Sequence, residues 1–186
     1  MNRAKLLVFI ITVIMIISAG CASRVTDMEP IHLAAMRGET DILKQVLEKT
    51  RYANINQKDT IIGNTPLHLA IFHGHIETAR YLIEKGANIN ARNAEKVTPL
   101  WYAAFIENVE AVRLLIENDA ELNTQAKFNT TPLSIAVGDG NKEIVRLLVK
   151  KGADVNLHSP LGSAGGRNGS IEIVRLLLEN GADITA

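Results

Sequence analysis

With 186 residues, 47% of them apolar and 22% charged, the chain has the make-up of an ordinary folded protein long enough to bury a core. Aromatic residues are only 4%, which argues against a large aromatic core or a series of base-stacking platforms. Twenty basic side chains balance twenty acidic ones, and no run of Lys or Arg builds the cationic surface a phosphate backbone needs, so nucleic acid is not an expected partner.

The chain opens on a basic head, Asn2-Arg3-Ala4-Lys5, followed by an almost unbroken apolar run over residues 6–17 and then Ser18-Ala19-Gly20. That order predicts a secretory signal peptide over residues 1–20. The run is too short to span a bilayer comfortably, which takes about 20 residues. Cys21 is the only cysteine, so no internal disulfide can form. Ser18-Ala19-Gly20-Cys21 resembles a bacterial lipobox, with Ser18 where that family usually has Leu. The resemblance implies that Cys21 is lipidated, becomes the first residue of the mature chain, and is joined to the rest by a short tether over 21–27. Each buried acyl CH2 would contribute about 0.8 kcal/mol of anchoring. Membrane contact is expected through the lipid alone, facing the periplasm. Ala22 in place of Asp favours the outer membrane on the same resemblance. An ordinary signal peptide with an incidental cysteine, or an uncleaved anchor, is the alternative. Arg3 and Lys5 are the only charges of the leader, so the remainder holds 18 basic against 20 acidic side chains.

Beyond the leader a period of 33 dominates. Thr65-Pro66-Leu67, Thr98-Pro99-Leu100 and Thr131-Pro132-Leu133 recur at that spacing, each followed by an alanine (Ala70, Ala103, Ala136) and a glutamate (Glu77, Glu110, Glu143). An apolar stretch and then Gly86-Ala87-Asn88, Asp119-Ala120-Glu121 or Gly152-Ala153-Asp154 complete each unit. Thr is an N-cap, Pro fits the first helical position, and Gly74, Gly140, Gly86 and Gly152 supply left-handed helix ends. Each unit thus predicts two helices of about 8–10 residues, too short to stand alone, which must bury their apolar sides on their neighbours.

Thr65-Pro66-Leu67-His68-Leu69-Ala70 resembles the signature hexapeptide of the ankyrin repeat family, and the resemblance runs over residues 28–186. It implies an all-α solenoid of about five helix-turn-helix repeats with projecting loops, over 28–60, 61–93, 94–126, 127–156 and 157–186. The outer units depart from the pattern. Thr50-Arg51-Tyr52 replaces a single Gly in the first, and the last has almost no projecting loop. Leu161-Gly162-Ser163-Ala164-Gly165-Gly166 predicts a short or mobile helix there, since interior Gly costs about 1 kcal/mol against Ala. In the third unit Glu107 and Asp119 stand where neighbours have Gly, and Asn108 or Asp119 is the expected left-handed residue.

No catalytic set emerges, and no enzyme activity, cofactor or metal is expected. His73 and His75, two apart, are not expected to face each other on a helix. His68 is assigned by the resemblance to hydrogen bonding between loops. Gly162 to Gly169 is Gly-rich but lacks a phosphate-loop pattern. The chain therefore reads as a non-catalytic protein-protein interaction module tethered to the bacterial envelope. It would bind, sequester or inhibit a protein partner, with a self-assembling structural envelope protein, associating through the last repeat, as the alternative. By resemblance, partners would meet the projecting loops and the exposed side of the first helices. Those positions include Ile61, Ile62, Phe72, His73, Val97, Phe105, Ile106 and Phe128, with Phe72 and Phe105 expected side by side. The competing arrangement has the loops folding over these residues and making them core.

Overall fold

A computed structural model describes residues 29–49, 54–157 and 171–183, without the side chain of Phe128. The leader, Cys21, the Thr50-Arg51-Tyr52 insertion and the Gly-rich segment 161–166 lie outside the described residues. Within them the helices come in pairs: α1 (Pro30–Arg37) with α2 (Thr40–Lys49), α3 (Pro66–Phe72) with α4 (Ile76–Glu84), α5 (Pro99–Phe105) with α6 (Val109–Glu117), and α7 (Pro132–Asp139) with α8 (Lys142–Lys150). A further helix, α9 (Ile171–Glu179), follows, and a single 3-10 turn covers Lys127–Asn129. No strand occurs among the described residues. The chain is an all-α stack of helix-turn-helix units.

The local chemistry explains each helix. Pro66, Pro99 and Pro132 open the inner helices α3, α5 and α7, where the missing N–H costs nothing. The hydroxyl of Thr98 accepts from the Trp101 N–H at 3.3 Å and that of Thr131 from Ser134 at 3.1 Å. Asn108 and Asn141 cap the outer helices α6 and α8, accepting from Ala111 at 2.9 Å and Ile144 at 3.1 Å.

The inner helices stack on one another, α1 on α3 on α5 on α7, and each packs on its own outer helix. Ala35, Ala70, Ala103 and Ala136 are fully buried, and their small side chains let the helices approach closely. Leu67, Leu82, Leu100, Leu115, Leu133 and Leu148 fill the space between, each burial contributing about 1.5–3 kcal/mol. Outside, Arg113–Glu143 at 3.1 Å and Arg146–Glu172 at 2.6 Å join successive outer helices; such exposed pairs add little.

A second set of links runs through asparagines. The side-chain oxygen of Asn56 accepts from the backbone N–H of Asn88 at 2.7 Å, Asn90 from Glu121 at 2.8 Å, Asn123 from Asp154 at 2.9 Å and Asn156 from Asp183 at 2.7 Å. Each unit thus holds the backbone of the next.

Left-handed backbone recurs at three places in each of the second, third and fourth units. The first is Gly63, Lys96 and Asn129, the second Gly74, Glu107 and Gly140, and the third Gly86, Asp119 and Gly152. Asp119 takes the left-handed turn after α6 as expected, but after α5 it is Glu107 (φ 59°), not Asn108. Asn108 is held at φ −87° because its side chain caps α6, which leaves the turn to the residue before it.

Candidate protein-binding face

The loops between units form three projecting fingers, 54–64, 88–97 and 121–130. Each closes on a backbone pair: Asp59 N–H to Asn64 O at 2.8 Å, Asn93 N–H to Val97 O at 3.1 Å, Ala126 N–H to Thr130 O at 2.9 Å. The first finger carries one residue more. Its extra turn is absorbed by the Asp59 carboxylate, which accepts from Ile61, Ile62 and Gly63 at 2.9, 2.9 and 3.0 Å. Neighbouring fingers touch through Ala94 N–H to Ile62 O and Lys127 N–H to Glu95 O, both 2.9 Å.

Beneath the fingers lies a row of side chains at one repeat position: His32, His68, Trp101 and Ser134. His32 places its Nε2 2.8 Å from the Gln57 carbonyl and His68 its Nε2 3.0 Å from that of Val97. In His68 the other nitrogen, Nδ1, accepts the Thr65 N–H at 3.2 Å, so Nε2 carries the proton and donates to Val97. Burial pushes the His68 pKa down to about 4, against the smaller upward pull of its Val97 bond, so the ring is neutral at pH 7. Trp101 does the same work with a different group, donating Nε1–H to the Thr130 hydroxyl at 3.0 Å. Beside it the Tyr102 hydroxyl meets Asn93 at 3.3 Å and Asn64 at 3.5 Å, and burial raises its pKa to about 12. The bonding between loops expected of His68 is thus present, and Trp101 extends it to a position with no histidine.

The expected face is assembled in part. Ile61 is 40% exposed at the tip of the first finger, and His73 is exposed at the end of α3. Ile62, Phe72, Phe105 and Ile106 are half-buried. Phe72 and Phe105, expected side by side, are joined through intervening rings. Phe72 lies 5.0 Å from Tyr102, Tyr102 5.9 Å from Trp101, and Trp101 stacks on Phe105 at 5.2 Å. Val97 does not belong to the face. It is 7% exposed, turned under its finger because its carbonyl serves His68 and its N–H serves Asn93 at 2.9 Å. The backbone of Phe128 lies in the 3-10 turn of the third finger, while its side chain is outside the described residues.

His73 and His75 do face each other, with rings stacked at 6.3 Å, because the turn between α3 and α4 separates them rather than a helix. His75 is itself committed, its Nε2 lying 3.0 Å from the Met36 carbonyl across Gly38. Burial and the neighbouring His75 lower the pKa of His73. Among the described residues no group of three or more His, Cys, Asp or Glu side chains could hold a metal ion, and no helix is long and apolar enough to cross a membrane.

The positions that position reasoning overlooked are Trp101, Tyr102, Asn64 and Asn93. Trp101 was available as a signal, since it stands 33 residues after His68.

Comparison with known proteins agrees with this architecture. The family described as Ankyrin repeats (3 copies) matches over residues 7–93 and 100–186. Alpha-latrocrustotoxin-Lt1a of Latrodectus tredecimguttatus is 39% identical over 69 residues, 37% of this chain and 5% of that protein. Ankyrin repeat domain-containing protein 13C of Danio rerio is 41% identical over 66 residues, 36% of this chain and 13% of that protein. NF-kappa-B inhibitor alpha of Mus musculus is 30% identical over 83 residues, 41% of this chain and 26% of that protein. The matched segment is a small part of each relative. A 33-residue period, Thr-Pro-opened helix pairs, bonded fingers and a family match over most of its length make this chain a member of the ankyrin repeat family.

Proposed function

We propose that the chain is a non-catalytic module that binds a protein partner on its finger tips and inner helices, sequestering or inhibiting it. The observation that carries the reading is the band formed by Ile61, His73 and the half-buried Phe72, Phe105 and Ile106. Apolar and aromatic groups kept at a surface are the usual anchors of binding. The buried Trp101–Tyr102 pair packs against Phe105 on one side and Phe72 on the other. NF-kappa-B inhibitor alpha, an inhibitor by name, supports the sequestering form of the reading. Cys21 would anchor the module by lipid to the periplasmic side of the envelope, at the outer membrane, a reading that rests on the leader sequence.

The test is capture from a lysate of the source organism by the full chain in detergent, beside the Ile61→Glu/His73→Glu variant. Both residues are exposed, so the variant should unfold at the same temperature. A protein retained by the parent and lost by the variant supports the reading; retention unchanged by the variant removes this face. Labelling with radioactive palmitate, lost in Cys21→Ser, tests the anchor. A second reading, self-assembly through α9, is favoured by Ile171 at 82% and Leu178 at 39% exposure. Concentration-dependent mass in light scattering, abolished by Ile171→Lys, would select it.

A further inference from the structure

The second and third fingers enclose an open groove of about 650 Å³, lined among others by Arg92, Lys96, Glu121, Lys127 and Asn129. Its charge is not internally balanced. Glu95 answers Lys127 at 2.9 Å, but Arg92 donates to the neutral carbonyl of Gln125. Neither Arg92 nor Lys96 makes an ion pair with another described residue, and Glu121 alone supplies an opposing charge to the lining. This surplus cation stands on a chain whose total charge is zero.

The backbone marks the same place independently. Lys96 (φ 58°) and Asn129 (φ 55°) occupy the left-handed position filled by Gly63 in the first finger. A lysine there is strained where glycine would not be, while asparagine tolerates the conformation. Strain of this kind persists where the side chain has a use. Packing does not supply one, because the Lys96 side chain is exposed.

We propose that this groove receives the carboxylates of an acidic segment of the protein partner, with Arg92 and Lys96 as the residues that select it. The proposal rests on the protein-binding reading above and names the partner's chemistry. A guanidinium offers a carboxylate two parallel N–H donors, and a lysine beside it adds a point charge. The apolar band on the inner helices would take the flanking apolar residues of the same segment.

The experiment is selection of a random dodecamer library displayed on phage against the full chain. Selected peptides are then synthesised and titrated against the parent, Arg92→Gln and Lys96→Gly. Enrichment in Asp and Glu, with affinity reduced about tenfold or more by either substitution, is the expected result. Lys96→Gly should at the same time raise the melting temperature by about 2–4 °C, since it relieves the strain, so lost binding cannot be misread as lost folding. Peptides selected without acidic enrichment, or bound equally by Lys96→Gly, would overturn the groove and leave the protein-binding reading standing. A duplex DNA probe held by Arg92 and Lys96 in place of the peptides would also overturn it. If no peptide is selected the proposal falls, and the lysate capture with Ile61→Glu/His73→Glu decides the broader reading alone.

Discussion

The second and third units share one backbone and differ in what they ask of it. The second places Gly63, Gly74 and Gly86 at its three left-handed positions; the third places Lys96, Glu107 and Asp119 there. The second bonds its neighbouring finger through a neutral imidazole, the third through an indole. The same fold is thus reached by a relaxed unit and by a strained one. Neighbours on both sides hold the backbone of the third unit in place: Asn90 and the Ile62 carbonyl of the second unit accept from Glu121 and Ala94, and Lys127 N–H of the fourth donates to the Glu95 carbonyl. In a stack, a unit's local preferences can be overruled by its interfaces.

The sharpest way to break the comparison is to remove the indole. Trp101→Ala should lower stability by about 3–5 kcal/mol in urea unfolding, the usual cost of deleting a buried large side chain. Trp101→Phe, which keeps a ring and loses the bond to Thr130, should cost about 1 kcal/mol. Equal losses from the two would show that packing is irrelevant at this position.

Acid separates the two units next. His68 has a folded pKa of about 4, below its ordinary value of 6.5. The unfolded chain therefore takes up a proton between those values while the folded chain does not. Stability is complete above pH 6.5 and falls as the pH drops towards 4, by about 3 kcal/mol in all. His73, also lowered, acts in the same direction. Urea midpoints measured across this window should show the slope, and His68→Asn should flatten most of it. A slope unchanged in that variant would assign the effect elsewhere.

Exchange of the turn residues is a smaller test. Gly86→Ala meets no atom within 4 Å, so its cost of about 1 kcal/mol would be purely conformational. Asp119→Gly should return up to about 1 kcal/mol. Comparing thermal unfolding of the two variants measures how much strain the third unit carries. Smallest of all is a repair in the first unit. The Nδ1 of His32 is buried without a hydrogen-bond partner, because Glu29 stands where the second unit has Thr65. Glu29→Thr should add about 1 kcal/mol; no change would mean that the ring is already solvated there.

These residues also show what a sequence can and cannot reveal. The helix pairs were legible because Thr, Pro, Ala and Gly act within a few residues of themselves. The bond from His68 was expected from the family resemblance. Val97 was misjudged because whether a finger residue points out or under depends on a partner 29 residues earlier, His68. Glu107 was passed over for Asn108 because preference for the left-handed turn lost to the cap on α6. The cationic groove was invisible for a related reason. Arg92, Lys96 and Lys127 form no run in the sequence and meet only when two fingers stand side by side.

The asparagine links have a mechanical consequence. They connect each unit only to the next, so they act in series and never share a load. Tension applied along the stack would be resisted one junction at a time, each junction holding an asparagine link, a finger contact and a helix interface. The chain would then lengthen stepwise, one junction at each step. A protein built this way yields by its weakest junction first, not all at once.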